Sequence, residues 1–359
     1  LTESTTLAAL TTLRVGGPAR RVLSPGSEAE LIEAVADCDH AGEPVLVLGG
    51  GSNLLVSDAG FDGTVVRTDG VRGIESEDVA ACSGAFLKVA AGEPWDEFVA
   101  SCVAQRFVGV EALSGIPGLV GATPIQNVGA YGQEVSQTIA RVRAYDRQSG
   151  QVRTMFAFDC RFGYRSSLFK REPGRHVVLS VSFQLGLGRM STPIRYGELA
   201  NRLGVQPGAL APLADVRDAV LALRRGKAMV LDAGDHDTWS AGSFFTNPVL
   251  TPEQAAGLPE QAPRFPAAPA LFGKGGTVAA TDDRVKTSAA WLIEHAGFGK
   301  GYGTPPATLS TRHVLAVTNR GGATATDLVT LAREVRDGVE ARFGIRLVPE
   351  PVLVGVSLD

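Results

Sequence analysis

The sequence predicts an α+β protein of two to three domains. Three observations carry that reading: a length of 359 residues at about 150 per domain, short apolar-alternating segments interleaved with stretches of helical period, and glycine runs at the ends of apolar stretches. Hydrophobic residues make up 44% of the chain and charged residues 20%, the composition of a folded protein with a sizeable core. Thirty-four basic against 38 acidic residues give a formal charge of −4, without the basic excess that binding a phosphate backbone requires. Nucleic acid is therefore not an expected partner. No run approaches ~18 apolar residues, and 1–12 lacks the charged and apolar regions of a secretion signal, so the expected state is a soluble cytoplasmic monomer with no membrane partner.

Taken in order, 21–23 reads as a strand, 28–38 as a helix by its apolar periodicity, and 44–48 as a buried strand ended by Gly49, Gly50 and Gly51. Alternating segments at 64–67, 86–91, 142–145, 152–155 and 177–184 read as strands, and 95–105 as a helix with Glu93 and Pro94 at its start. Strands interrupted by helices favour α+β over a sandwich. The loop-rich stretch 204–214 precedes a helix at 213–227, whose Val216, Val220, Leu221 and Leu223 fall near helical spacing, and a new domain is expected to begin there. Segment 248–276, rich in Pro, Ala and Gly, reads as a surface insertion. Helices are expected at 289–295 and 326–343, then a closing strand at 345–356 that returns to the first domain.

Cys38, Cys82, Cys102 and Cys160 form no Cys-x-x-Cys pair and have no histidine at zinc-ligand spacing, so no metal is expected and buried free thiols are preferred to disulfides. The five histidines include no His-Glu-x-x-His.

Two glycine-rich segments stand out as candidate sites. Gly49, Gly50 and Gly51 follow a buried strand, where successive backbone amides can form an anion nest, and Ser52 and Asn53 add donors. The run is neither a Rossmann fingerprint nor a P-loop, and by itself it reads better as an ordinary glycine turn. The second segment holds Ser114, Gly115, Ile116, Pro117, Gly118, Gly121, Ala122, Thr123, Gln126, Asn127, Gly129, Ala130 and Tyr131, small residues interleaved with hydrogen-bonding groups. Two such loops can grip one dinucleotide from two sides.

With these segments the chain resembles the UDP-N-acetylenolpyruvoylglucosamine reductase family, flavoenzymes of peptidoglycan precursor synthesis. The matching motifs run in order from Thr11-Thr12-Leu13-Arg14-Val15-Gly16-Gly17 through the two glycine segments, Gly163-Tyr164-Arg165-Ser166-Ser167, Ala241-Gly242-Ser243-Phe244-Phe245-Thr246-Asn247-Pro248 and Ala289-Ala290-Trp291 to Pro349-Glu350-Pro351. The resemblance implies an FAD-binding fold of the vanillyl-alcohol-oxidase type in two subdomains, 1–68 and 69–212, with 338–359 returning to the first. It also implies a substrate-binding domain at 213–337.

The same resemblance implies non-covalent FAD, NADPH as co-substrate, and reduction of UDP-N-acetylglucosamine enolpyruvate to UDP-N-acetylmuramate. It assigns Arg165 to the enolpyruvyl carboxylate, Glu350 to the enolate that develops there, and Ser243 to the proton that quenches it. On the UDP-sugar it places Tyr196, Arg224 and Lys227, while Asn247, four residues after Ser243, is positioned to orient that serine. Without the motifs, Arg165 reads as a surface ion-pair partner, Ser243 as a turn residue and Glu350 as an edge-strand polar residue. The chain departs from the family pattern in longer segments at 231–240 and 271–283, and in Phe265 where a tyrosine is usual. Two other readings stay open at this point: a different FAD oxidoreductase of the same fold, such as an alcohol or lactone oxidase, and a non-catalytic sugar-nucleotide-binding protein.

Overall fold

Ser27 starts the first long helix, Glu28–His40, by accepting the Glu30 amide at 3.2 Å, and Leu31, Val35 and Cys38 then recur at helical spacing as its buried stripe. The computed structural model describes residues 6–267 and 283–359. The chain divides into two compact units. One consists of Leu1–Ala19, Gly51–Phe61 and Leu231–Asp359, the other of Arg20–Gly50 and Asp62–Val230.

In the second of these units, Val45–Leu48 pairs in parallel with Phe61–Arg67, placing Leu48 opposite Arg67, and Ala19–Leu23 pairs on the other side of Phe61–Arg67. The helix Glu28–His40 packs on this sheet through Leu31, Val35, Val66 and Val71. A larger antiparallel sheet runs Gln151–Phe156, Ile139–Asp146, His176–Leu187, Gly84–Ala90, Ile74–Ala80, with Phe107–Val108 paired to one end of His176–Leu187. Its central strand reads buried on both faces because the helix Trp95–Ala104 covers it, and the Trp95, Phe98 and Phe183 rings meet there at 5.0–6.0 Å. The helix at 213–227 forms over Leu213–Gly226 and belongs to this unit, packing with Gly197–Leu203 through Leu199, Val216 and Val220.

In the other unit the longest helix, Ala325–Phe343, begins in a capping box of Thr324 and Asp327 and ends at Gly344 in the left-handed region, φ 67°. Asp58 reinforces its start by accepting the Ala325 amide at 2.6 Å and the Thr326 amide at 3.0 Å. Its buried face, from Leu328 to Val339, joins Leu292, Ile293, Leu309 and Phe244 in one core. Two small antiparallel sheets flank that core: Val249–Leu250 and Phe265–Pro266 on either side of Val285–Lys286, and Gly303–Thr304, Ala307–Leu309 and Val317–Asn319 in sequence.

The closing strand is shorter than the sequence predicts. Only Val352–Val354 forms it, paired in parallel with Leu54–Val56, because Pro349 and Pro351 have no amide to give a ladder. Cys82 also differs from the expectation of buried thiols: it is exposed, while Cys38, Cys102 and Cys160 are buried. The insertion predicted at 248–276 contains the short helix Pro252–Ala256 and two strand pairings; its remainder from 268, and 271–282 of the second insertion, lie outside the described residues. Among the described residues no helix is long and apolar enough to cross a membrane.

Asp146 shows how buried charge is managed on the large sheet. Its fully buried carboxylate accepts Arg175 Nε at 3.1 Å and Nη2 at 3.0 Å, and these bonds hold it well below the usual carboxylate range. A depressed folded-state pKa contributes stability that is present above the unfolded value of about 3.9 and is lost as pH falls toward the folded one. The urea midpoint should therefore hold between pH 7 and about 5, then fall on further acidification. Asp146→Asn should lower the midpoint at pH 7 and flatten the acid limb; parallel acid limbs in the two proteins would exclude this pair as the source.

Candidate active site

The strand Val45–Leu48 delivers Gly49 and Gly50 to a place where two main chains nearly touch. A Cβ on Gly50 would lie 2.8 Å from the Gly118 Cα, and one on Gly49 would lie 3.7 Å from the Ala122 Cβ. Gly115 and Gly118 have φ of 72° and 115°, which side chains resist, and a Cβ on Gly121 would sit 2.5 Å from that of Ala91. The amides of Gly49, Gly50 and Gly118 meet no acceptor among the described residues. A side-chain-free surface with open amide donors suits a pyrophosphate, so the residues present fit a dinucleotide cofactor.

Several side chains that the sequence offers to that cofactor are turned to other work. Ser114 Oγ donates to the Glu111 carbonyl at 2.7 Å, and Thr123 Oγ1 to the Val120 carbonyl at 2.8 Å, both buried. Asn127 gives its amide to Glu134 at 2.8 Å and to the Gly163 carbonyl at 3.0 Å, and accepts the Ser136 amide at 3.1 Å. These three hold the loops from behind. Ile116, Pro117, Gln126, Gly129 and Ala130 are only partly buried along the same segment.

Arg165 sits at φ 48° in a tight turn closed by mutual Gly163 and Ser166 backbone bonds. Its guanidinium reaches back to the glycine segment, donating from Nη2 to the Gly129 carbonyl at 2.6 Å and from Nη1 to the Asn127 carbonyl at 3.4 Å. Asn127 and Tyr131 have φ of 50° and 48°. Left-handed non-glycine residues cost about 1–3 kcal/mol each, and these three lie on chain joined by the Arg165 bonds.

Tyr131 stands at the tip of the hairpin formed by Gly129–Ala130 and Gln133–Glu134, and its ring meets that of Tyr196 edge-on at 5.5 Å. Lys227 Nζ lies 5.9 Å from the Tyr131 ring centre and donates to Glu198 at 2.6 Å. Burial pushes the Tyr131 phenol up to about 12 and the Tyr196 phenol upward as well, so both remain hydrogen-bond donors at neutral pH. Arg224 is placed differently from a surface anion binder. Its Nη2 donates to the Met229 carbonyl at 2.7 Å, its Nε is buried with no partner among the described residues, and burial lowers its pKa against the pull of Tyr131 and Asp96.

The remaining candidates lie in the unit that holds the C-terminus. Gly51, φ 61°, has no room for a Cβ beside the Leu10 carbonyl. Ser52 is half-buried beside it, and Asn53 donates to the Glu350 carbonyl at 3.3 Å. Glu350 in turn donates its amide to the Phe244 carbonyl at 2.8 Å, and Val352 donates to the Asn53 carbonyl at 3.0 Å. Ser243, half-buried between Gly242 and the fully buried Phe244, is thus carried on chain that is bonded to the chain carrying Glu350. Asn247, four residues after Ser243, uses its Oδ1 to accept the Ala289 amide at 2.9 Å at the start of the helix Ala289–His295.

Residues 19–155 match the family model described as FAD binding domain, and 234–354 match that of the C-terminal domain of UDP-N-acetylenolpyruvoylglucosamine reductase. A UDP-N-acetylenolpyruvoylglucosamine reductase from Cutibacterium acnes is 57% identical over 99% of this chain and 91% of its own, and one from Thermobifida fusca is 55% identical over 98% and 97%. The chain belongs to the UDP-N-acetylenolpyruvoylglucosamine reductase family. A solved reductase of this family from Thermus caldophilus shares the fold, with a TM-score of 0.62 over 98% of each chain at 24% identity. Among the described residues no group of histidines, cysteines and acids could hold a metal.

Sequence reasoning missed the acids that fix this reductase-family site from behind. Asp96 accepts the Gly115 amide at 2.6 Å and pairs with Arg217, and Glu111 accepts four donors. The sequence signal of Glu111 is a lone carboxylate inside an apolar run, Val108-Gly109-Val110-Glu111-Ala112-Leu113, whereas Asp96, beside Glu97 at a helix start, gives none. The Gly50–Gly118 approach gives a direct test. Gly50→Ala should force the loops apart and lower the flavin-to-protein ratio of purified protein severalfold, with far-ultraviolet circular dichroism unchanged; full flavin content would show that this contact does not shape the cofactor site.

Proposed function

We propose that the protein reduces UDP-N-acetylglucosamine enolpyruvate to UDP-N-acetylmuramate with NADPH and non-covalently bound FAD, a reaction of peptidoglycan precursor synthesis. The observation that carries this reading is the end-to-end similarity to reductases of that name, with Arg165, Ser243 and Glu350 all on matching motif positions. An alcohol or lactone oxidase of the same fold gives no account of a match that extends through 234–354. By role, 1–68 and 69–212 form a flavin-binding portion of the vanillyl-alcohol-oxidase type, joined by 338–359. The substrate-binding portion begins with the helix Leu213–Gly226 and runs to 337.

FAD bound here would supply the hydride-transfer chemistry between NADPH and the enolpyruvyl group. The open amides of Gly49, Gly50 and Gly118 would hold its pyrophosphate, and neither glycine segment contains a histidine or cysteine for a covalent link. Arg165, its plane preset by the Gly129 and Asn127 carbonyls, takes the substrate carboxylate on which negative charge develops. Protonated Glu350 donates to that enolate, and its main chain is pinned by Phe244 and Asn53. The Ser243 hydroxyl then delivers the proton to carbon. Tyr196 and Lys227 bind the nucleotide diphosphate. Arg224, bonded both ways to Met229, stiffens the turn that follows Lys227.

Two measurements separate these roles. In Ser243→Ala, NADPH should bleach the flavin at a near-normal rate, while its reoxidation by the UDP-sugar slows about 10²- to 10⁴-fold, the usual cost of a missing general acid. Near-normal reoxidation in rapid mixing would assign the proton to another group. Lys227→Ala should raise the KM for the UDP-sugar about tenfold or more with the KM for NADPH little changed, since a charge-assisted bond contributes about 1.5–3 kcal/mol. An unaltered sugar KM would remove Lys227 from the site.

A further inference from the structure

Behind the Tyr131–Tyr196 pair lies a carboxylate with no role in the chemistry above. Glu111 is fully buried in the short turn Glu111–Leu113, and among the described residues no cation pairs with it. It accepts instead from three separate stretches of chain. The Gly109 amide donates to Oε2 at 2.7 Å, Gln133 Nε2 to Oε1 at 2.9 Å, and Thr192 to Oε1 through its amide at 2.9 Å and its hydroxyl at 3.2 Å. Gln133 closes the network by donating to Thr192 Oγ1 at 2.7 Å and accepting the Ala112 amide at 2.8 Å.

Each stretch leads to a residue of the proposed site. The Glu111 carbonyl takes the Ser114 hydroxyl at the entrance to the glycine segment. Gln133 pairs with Ala130 to close the turn of the hairpin whose tip is Tyr131, and Thr192 stands four residues before Tyr196. A carboxylate accepts at about four sites and donates at none, which matches this set of donors; an apolar residue in its place would orphan the Gly109 and Thr192 amides. We propose that Glu111 is a positioning residue that sets the Tyr131–Tyr196 pair against the cofactor loop at 114–118, so that affinity for the UDP-sugar depends on a carboxylate touching neither substrate nor flavin. The proposal rests on the reading of Tyr196 as a substrate-side residue.

Glu111→Gln keeps the size of the side chain but turns an N–H toward a donor. In the flavin-bound enzyme it should raise the KM for the UDP-sugar by about tenfold, with flavin content and the rate of bleaching by NADPH near those of the wild type. Thr192→Val, which removes only the hydroxyl, should move the same KM in the same direction by a smaller factor. The double variant should fall short of the product of the two single effects, because both act on one network. Hydrogen exchange at the Gly109 and Thr192 amides should accelerate in Glu111→Gln. A lowered thermal midpoint and flavin content with KM unmoved, or an unchanged KM in flavin-bound Thr192→Val, overturns the proposal. Should Glu111→Gln fail to retain flavin, Thr192→Val decides alone. If the wild type binds FAD but does not turn over the UDP-sugar, the functional reading fails by itself, and unchanged exchange at those two amides then overturns the positioning role independently.

Discussion

The meeting of two main chains at Gly50 and Gly118 is the constraint on which the cofactor side of the site depends. With no Cβ between them, the loop after Val45–Leu48 and the loop at 114–122 pack closer than any side chain permits, and Gly121 repeats the device against Ala91. The surface that results is lined by amides rather than side chains. The same glycine segment carries left-handed backbone at Asn127 and Tyr131, and Arg165 adds a third; that strain is offset by the bonds Asn127 makes to Glu134, Gly163 and Ser136 and by those Arg165 makes to the same segment.

A different logic builds the other unit. Asn53, Phe244 and Glu350 are bonded although 297 residues separate the first from the last. A parallel pairing such as Leu54–Val56 with Val352–Val354 always requires a long connection, and the entropy of closing one grows only slowly with its length. Insertions inside that connection are therefore tolerated if they are tied down. The 231–240 insertion is tied by Asp237, which accepts the Thr311 amide at 2.9 Å and Arg320 Nη1 at 2.7 Å, and by Ser240, whose carbonyl takes the Thr12 hydroxyl at 2.7 Å. Burial works to raise the Asp237 carboxyl, and the Thr311 and Arg320 contacts outweigh it. The chain thus reaches Ser243 from an anchored position.

Carboxylates behind the surface are satisfied in two ways in this protein. Asp146 relies on Arg175 together with the Gln148 amide, the half-exposed Asp96 on Arg217 together with the Gly115 amide, and Glu111 on neutral donors alone. Neutral donors let one carboxylate join several chain segments, because each N–H comes from a different place in the sequence. A carboxylate that must hold several loop segments in register is best served by that arrangement.

The sequence by itself determined the family and, through it, the reaction, because ordered motifs from Thr11 to Glu350 survive in the linear chain. It also determined the long helices Glu28–His40, Trp95–Ala104, Leu213–Gly226 and Ala325–Phe343, since amphipathic period is set within a few turns of the chain. The strand at 345–356 was over-extended because apolar content outweighed two prolines whose missing amides matter only when a partner strand is present. The side chains of Ser114, Thr123, Asn127 and Asn247 looked like ligand groups because a polar residue in a glycine-rich loop gives no sign of which way it faces. Glu111 shows in the sequence only as a lone carboxylate in an apolar run, because its four donors come from residues up to 81 positions away. Direction and long-range partnership are properties of the packed chain: only the tertiary structure decides which polar atoms face a ligand and which satisfy buried main chain, because that choice is made by whichever donors and acceptors lie within about 3 Å.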